Sequence, residues 1–386
     1  MKEIYKKLGL VSVLALSLAA CGSPGESGQS SDTKEEPKTE ESAESPGKED
    51  SKKEAEEKDD SAKTSDSGED VAGTVDLASV DADDDEAFQK EKASQEKIQV
   101  AYSGGLCTSP SGLALAKGYY KDEGLDVELV KSESGTTDAV GTGHAAIGSE
   151  HITTVLVPLV NGVNAQLVGG VHTGCKSLYV LEDSDIENTA DLKGKAVAIH
   201  DGIGQSDQNI ALRFFEADGI GKEEVKFKNT DTSATVQAME NGEIEATIFT
   251  DQFAMPFVRE GKLRRIRALS FDDDFKDETC CGIVINKAFA KENPIAAKRL
   301  VRAIRKAADW AGDNTEDFID ELEANDWVSG ERKDAVDFAE SLNFHVTNDS
   351  TAKTVRNVIE DYKRFDIFPA DQDTDEIFSK VWSPWE

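Results

Sequence analysis

Basic residues are scarce in this 386-residue chain, in which 43 Lys and Arg stand against 77 Asp and Glu for a net charge of −34. Nucleic acid and anionic membrane surfaces both need a basic face, so neither is an expected partner. Aromatic residues are nearly missing from the first quarter, where Phe88 is alone between residues 22 and 96. That stretch carries 25 acids and 9 Lys and has too little apolar surface to offset the entropy of ordering it, so it reads as a disordered acidic linker. No P-loop, no G-x-S-x-G and no Ser/His/Asp order is present, and no repeat of fixed period. No catalytic residue and no cofactor is expected.

What the N-terminus does contain is an address. Lys2, Lys6 and Lys7 precede an apolar run from Leu8 to Ala20 that is short for a bilayer span and has the proportions of a secretory signal. It ends Leu18-Ala19-Ala20-Cys21-Gly22, which resembles the lipobox of bacterial lipoproteins. The resemblance implies a signal peptide at 1–20 and a Cys21 thiol that carries lipid such as palmitate. The mature protein would then be anchored on the outer face of a cell membrane, as in a Gram-positive cell. Residues 21–96 then form a tether whose ~75 residues span roughly 50 Å as a flexible coil. Its densest acidic run, Asp81 to Glu86, is the best place to look for any metal-binding or interaction role.

From Lys97 the pattern becomes strands alternating with amphipathic helices, beginning with strand Ile98 to Tyr102, a helix from Ser111, and strand Asp126 to Lys131. The alternation continues to about Ser270 and argues for an α/β protein with open, largely parallel sheets. After Cys281-Gly-Ile-Val-Ile285 the chain turns mainly helical.

The helix segment Ala114-Leu-Ala-Lys-Gly-Tyr-Tyr120 followed by Glu123-Gly-Leu-Asp-Val-Glu128 resembles the opening of nitrate/taurine/alkanesulfonate solute-binding proteins of ABC transporters, a family that also includes thiamine-precursor binders and synthases. Asp191-Leu-Lys-Gly-Lys195, Ala238-Met-Glu-Asn-Gly-Glu-Ile-Glu-Ala246 and Asn286 to Pro294 match further segments in the same order. The resemblance implies a type II periplasmic-binding-protein fold. Its two α/β lobes, 97–184 plus 282–386 and 185–281, are joined by a two-segment hinge. It also implies a monomer that captures a small-molecule solute between the lobes and passes it to ABC permease subunits, without chemistry.

Candidate ligand-binding residues lie at strand ends facing such a cleft. Gly105, Cys107 and Ser111 belong to the loop 103–111, where glycines allow close approach and Ser111 can cap a helix. Ser149 and Glu150 follow the third strand, with Ser149 as a second cap, and Gly204, Gln205 and Ser206 form a third turn. Asp251 either caps its own helix or meets a ligand cation. Tyr102 and Phe253 are placed to line the cleft, whereas Trp310, Trp327, Trp382 and Trp385 read as packing.

Apart from Cys21, the cysteines are Cys107, Cys175, Cys280 and Cys281, an even number in an oxidising compartment, and the implied fold brings all four near the hinge. A disulfide from Cys107 or Cys175 to the vicinal pair, a soft-metal cluster with His172, and plain packing all remain open. His172-x-x-Cys175 is a weak metal signal. Adjacent cysteines on an extended strand should point to opposite faces, which argues against Cys280 and Cys281 sharing one ion. The other histidines, 144, 151, 200 and 345, are spread along the chain. A pyrimidine-synthase-like enzyme and a metal-binding receptor are the alternatives to a transport receptor.

Overall fold

The computed structural model describes residues 73–102, 104–131 and 135–386, all within one compact unit from Thr64 to Glu386. The expected signal peptide, the lipidated Cys21 and the linker as far as residue 72 lie outside the described residues, as does Ser103. Among the described residues, no helix is long and apolar enough to cross a membrane.

Among the described residues, ten strands form two sheets. They are β1 Ile98–Ala101, β2 Val127–Val130, β3 Ile147–His151, β4 Ala165–Thr173, β5 Lys176–Leu181, β6 Ala196–Ile199, β7 Lys226–Asn229, β8 Ala246–Thr250, β9 Leu263–Ala268 and β10 Thr279–Asn286. The first sheet has the order β2-β1-β3-β10-β4 and the second β7-β6-β8-β5-β9. One strand in each sheet runs against its neighbours: β10 is antiparallel to β3 and β4, and β5 is antiparallel to β8 and β9. These two are the strands that begin just after the chain passes from one sheet to the other, so the expected parallel pattern holds except where the lobes are joined. All nine residues of β4 are buried, because helices cover both faces of the sheet. Helices Pro110–Ala116 and Pro294–Asp313 pack on one face, and Ile152–Val160, Asn348–Arg364 and Thr374–Val381 on the other.

The crossings fall earlier in the chain than 184/185 and 281/282. Only Gly174 and Cys175 separate β4 from β5, so residues 176–181 belong to the second sheet, and Thr279–Cys281 already belong to the first. Gly174 has φ +77°, and its Cβ would sit 2.2 Å from Ser270 Oγ, so the turn needs glycine there. Cys175 follows at φ +111°, a conformation that costs a non-glycine residue about 1–3 kcal/mol. A two-residue connection looks like a hairpin in sequence, and nothing local shows that its strands enter different sheets.

The linker also ends sooner than residue 96. Residues 73–96 are ordered against the first lobe, with Leu77 and Phe88 inside its core. The acidic run that composition assigned to solvent meets the basic side of helix Pro294–Asp313. Arg302 Nη1 lies 2.8 Å from Asp83, Arg299 Nη2 lies 2.6 Å from Asp85, and Lys298 Nζ donates to the carbonyls of Ala78 and Val80. The Glu91 carboxylate accepts from the backbone N–H groups of Ile295 and Ala296, at 2.7 and 2.8 Å, and so caps that helix from outside it.

Candidate functional site

A cavity of about 800 Å³ opens between the lobes. Gly104 to Thr108 and His151 wall it from the first sheet, Asp326 to Gly330 from the C-terminal helical part, and Gln252, Phe253, Pro256 and Phe257 from helix Asp251–Arg259 of the second lobe. The 104–108 loop is tied to the far wall: Gly105 N–H donates to the Trp327 carbonyl at 3.1 Å, and Tyr102 hydroxyl donates to the Gly105 carbonyl at 3.1 Å. Gly104 and Gly105 have φ of +92° and +95°, which this path requires. The Trp327 ring stands edge-on to Tyr102 with centroids 5.0 Å apart. Trp327 is therefore a cleft wall rather than packing alone. It sits in the helical tail, where sequence offered no strand end to mark it. Phe253 lines the cleft as expected.

At the inner end of the cleft three of the four cysteines converge around a histidine that the sequence did not single out. His151 Nδ1 lies 3.4 Å from Cys280 Sγ, 3.6 Å from Cys281 Sγ and 4.0 Å from Cys175 Sγ, and Cys175 and Cys280 sulfurs are 3.2 Å apart. His151 and Cys281 are cross-strand partners in the β3/β10 register, a neighbourhood no spacing rule reveals. Both vicinal cysteines reach the same imidazole, contrary to the expected alternation. The reason is the pairing of β10 with β4, whose register shifts between Thr279 and Cys281 and again between Cys281 and Gly282. A bulge of this kind turns one side chain out of the alternating pattern.

The electrostatics of the cluster are uneven. Hydrogen bonding from the Cys175 thiol, then from Cys281, and the charge of His151 hold the Cys280 thiol well below its ordinary range. Burial opposes the charge of His151, but the sulfurs of Cys175 and Cys280 outweigh it and raise the imidazole well above its usual value. Hydrogen bonding to Cys175 and Cys280, with burial, pushes Cys281 the other way. Cys280 is also partly exposed, whereas Cys281 is buried. Alkylation of the reduced protein by iodoacetamide is expected at Cys280 first, because its thiolate forms at lower pH than those of Cys281 and Cys107. Peptide mapping at a series of pH values checks this; alkylation of Cys281 or Cys107 ahead of Cys280 contradicts it.

The remaining predicted residues are placed differently. Cys107 is partly exposed in the cleft wall, and hydrogen bonding to Cys175 and burial raise its thiol well above the ordinary range, with His172 acting in the opposite sense. His172 is fully buried, its Nδ1 bonded to the Thr173 carbonyl at 2.9 Å, and it is not among the His151, Cys280 and Cys281 donor atoms that cluster together. Ser111 and Ser149 do not cap helices. Their hydroxyls bond each other at 3.0 Å in the buried space between helix Pro110–Ala116 and β3. Glu150 turns its carboxylate back to the His151 N–H.

In the second lobe, Ser206 bonds Lys176 Nζ at 2.6 Å and Asp201 at 2.5 Å, and Asp201 also accepts from the Asp207 N–H. That helix end is thus filled by the chain's own carboxylate. Gly204 N–H is likewise occupied by Gln208, while the Gln205 side chain makes no cap bond. Asp251 is wholly buried and accepts from the Tyr179 hydroxyl at 2.6 Å, so it is held inside the lobe. Lys176 shows why the region is self-contained: burial opposes its charge, but Asp207 and Asp201 raise it above the ordinary lysine range.

The family model described as NMT1/THI5 like matches residues 109–317. A putative binding protein of Brucella abortus is 23% identical over 214 residues, covering 55% of this chain and 66% of that protein. A 4-amino-5-hydroxymethyl-2-methylpyrimidine phosphate synthase of Aspergillus parasiticus is 24% identical over 219 residues, covering 52% of this chain and 62% of that enzyme. The chain thus spans a little under two thirds of the length of these curated relatives. Among solved structures, the alkanesulfonate-binding protein SsuA from Xanthomonas axonopodis pv. citri, bound to MOPS, superposes with a TM-score of 0.61 at 14% identity, over 76% of this chain and 99% of that one. The shared architecture is the two-lobed fold of periplasmic binding proteins. With more than half of its length matched by one family model, the chain belongs to the NMT1/THI5 like family.

Proposed function

We propose that the protein is the extracytoplasmic solute-binding component of an ABC importer, a monomer anchored by lipid on Cys21 that carries a small organic solute to the permease subunits. The observation that carries this reading is the cleft of about 800 Å³ walled by both lobes, with the chain passing between them at two neighbouring places. Such a volume suits a small ligand, and hinge closure over it gives a permease a distinct state to recognise. Asp326 and His151 are the ionisable side chains among its lining residues apart from Cys107, and Phe253, Pro256, Phe257 and Trp327 supply apolar walls. A neutral or zwitterionic solute with an apolar body fits that lining better than a strong anion. The Brucella relative's name and the lipobox-like Leu18 to Gly22 support the same reading.

Native mass spectrometry of the full chain isolated from its host tests the proposal. One small molecule bound per chain, released unchanged on denaturation, is the expected result; a solute consumed by the purified protein overturns it in favour of an enzyme. The anchor has its own test. Cys21→Ser is expected to move the protein from the membrane fraction to the soluble or unprocessed pool, and a variant that remains membrane-bound in processed form contradicts the lipid assignment.

A further inference from the structure

We infer that His151, Cys280 and Cys281, with Cys175 beside them, form a binding site for a thiophilic d10 cation, Zn²⁺ or Cu⁺, at the inner end of the interlobe cleft. The donor atoms of His151, Cys280 and Cys281 all lie within 4.8 Å of one another. A tetrahedral ion with metal–sulfur bonds near 2.3 Å and metal–nitrogen bonds near 2.05 Å sets sulfur–nitrogen edges of about 3.6 Å. The His151 Nδ1 to Cys280 and Cys281 Sγ edges are 3.4 and 3.6 Å, and the edge to Cys175 is 4.0 Å. Imidazole plus thiolate is the donor set that soft and borderline d10 ions prefer, and it disfavours Mg²⁺ and Ca²⁺.

Three separate parts of the chain bring these atoms together. His151 ends β3, Cys175 occupies the first crossing in a positive-φ conformation, and the irregular start of β10 delivers the vicinal pair. A strained non-glycine residue and a strand bulge at one point are backbone features that aim side chains. Together they bring the sulfurs to the imidazole. Three protein donors leave a fourth position, which Cys175 or a group from the cleft can fill. His151 belongs to both the cluster and the cleft wall. An ion held there meets the organic solute, and this last step rests on the solute-receptor reading.

The test uses the full chain, isolated under reducing conditions, stripped with a chelator and titrated with Zn²⁺ alone or Cu⁺ alone against a chromophoric competitor. One ion per chain is expected. Co²⁺ added to the unaltered protein should give sulfur-to-cobalt charge-transfer absorption, a readout that needs no variant to fold. Outer-sphere changes alone cost 10–100-fold in metal affinity, so Cys280→Ser and Cys281→Ser should each weaken binding by at least about 100-fold. His144→Gln, on an exposed residue outside the cluster, should leave it unchanged. Absence of stoichiometric uptake, equal uptake by the serine variants, or a Cys175–Cys280 disulfide in protein isolated without air overturns the site. An organic solute that binds equally well to the metal-free chain overturns the meeting of ion and solute while leaving the receptor reading intact. Stoichiometric metal with no solute in any native preparation overturns the receptor reading, and with it the meeting of ion and solute, while leaving the metal site intact.

Discussion

Replacing Arg213 with Met is expected to lower the unfolding free energy by roughly 3–5 kcal/mol, because it leaves the buried Glu278 carboxylate without its counter-charge and Asp361 with Arg364 alone. Arg213 lies on helix Ser206–Ala217 of the second lobe. Its Nη2 is 2.7 Å from Glu278 Oε2, and its Nε donates to Asp361 on helix Asn348–Arg364 of the first lobe. The three side chains are only 5%, 15% and 9% exposed, so solvent does little to screen them. Burial opposes the guanidinium charge, but Glu278 and Asp361 more than offset it and raise Arg213 further above its already high range. Neighbouring bonds cross the same boundary: Asn209 Nδ2 donates to the Thr153 carbonyl at 2.9 Å, and Arg364 Nε lies 2.6 Å from Glu216. Urea denaturation should show a lower midpoint with an unchanged slope. Combining Arg213→Met with Glu278→Gln and Asp361→Asn should recover most of the loss. A loss below about 1 kcal/mol for Arg213→Met alone would mean that water reaches the bridge, and hence that the lobes part there in solution.

The parts of this fold that sequence reveals are those governed by local periodicity. Strand–helix alternation and the turn glycines follow from patterns a few residues long, while the two-lobe arrangement comes from the ordered resemblance to a known family. What it hides depends on pairings between distant segments. Cys281 faces His151 because β10 lies between β3 and β4, and Cys280 joins it because that pairing slips by one residue. A rule of strict alternation gives the opposite answer. Asp251 and Ser206 were legible as polar residues at strand ends or helix starts, but not as the partners of Tyr179 and Lys176, residues 72 and 30 positions away. In each case a buried group of the chain occupies the donor or acceptor that the sequence left available for a ligand. Trp327 is the converse: its residue type was read as packing, and only the Gly105–Trp327 backbone bond places it at the cleft.

Phe88→Ala should cost about 3–5 kcal/mol, the range for an aromatic lost from a packed interior. This is a large effect for a residue in a segment whose composition argues for disorder. Phe88 is 2% exposed. The Arg299 guanidinium lies 4.2 Å over its ring, and the edge of the ring fits against Gly124, where a Cβ would come within 3.4 Å of it. Averaging charge over residues 22–96 cannot detect that the last part of the stretch is matched residue by residue to Lys298, Arg299 and Arg302, more than 200 positions away. Each exposed ion pair there is worth little. Stability comes instead from burying Leu77 and Phe88 and from the Glu91 carboxylate on the open end of helix Pro294–Asp313. A chain begun at residue 97 loses all of these at once, and its denaturation midpoint should fall below that of Phe88→Ala in a chain begun at residue 73. Equal midpoints for the unaltered 73–386 and 97–386 chains would show that the segment rests on the lobe without supporting it. Amide exchange gives an independent readout: protection of Phe88, whose N–H is bonded to the Asp84 carbonyl at 2.9 Å, should persist in the full chain and vanish in the variant.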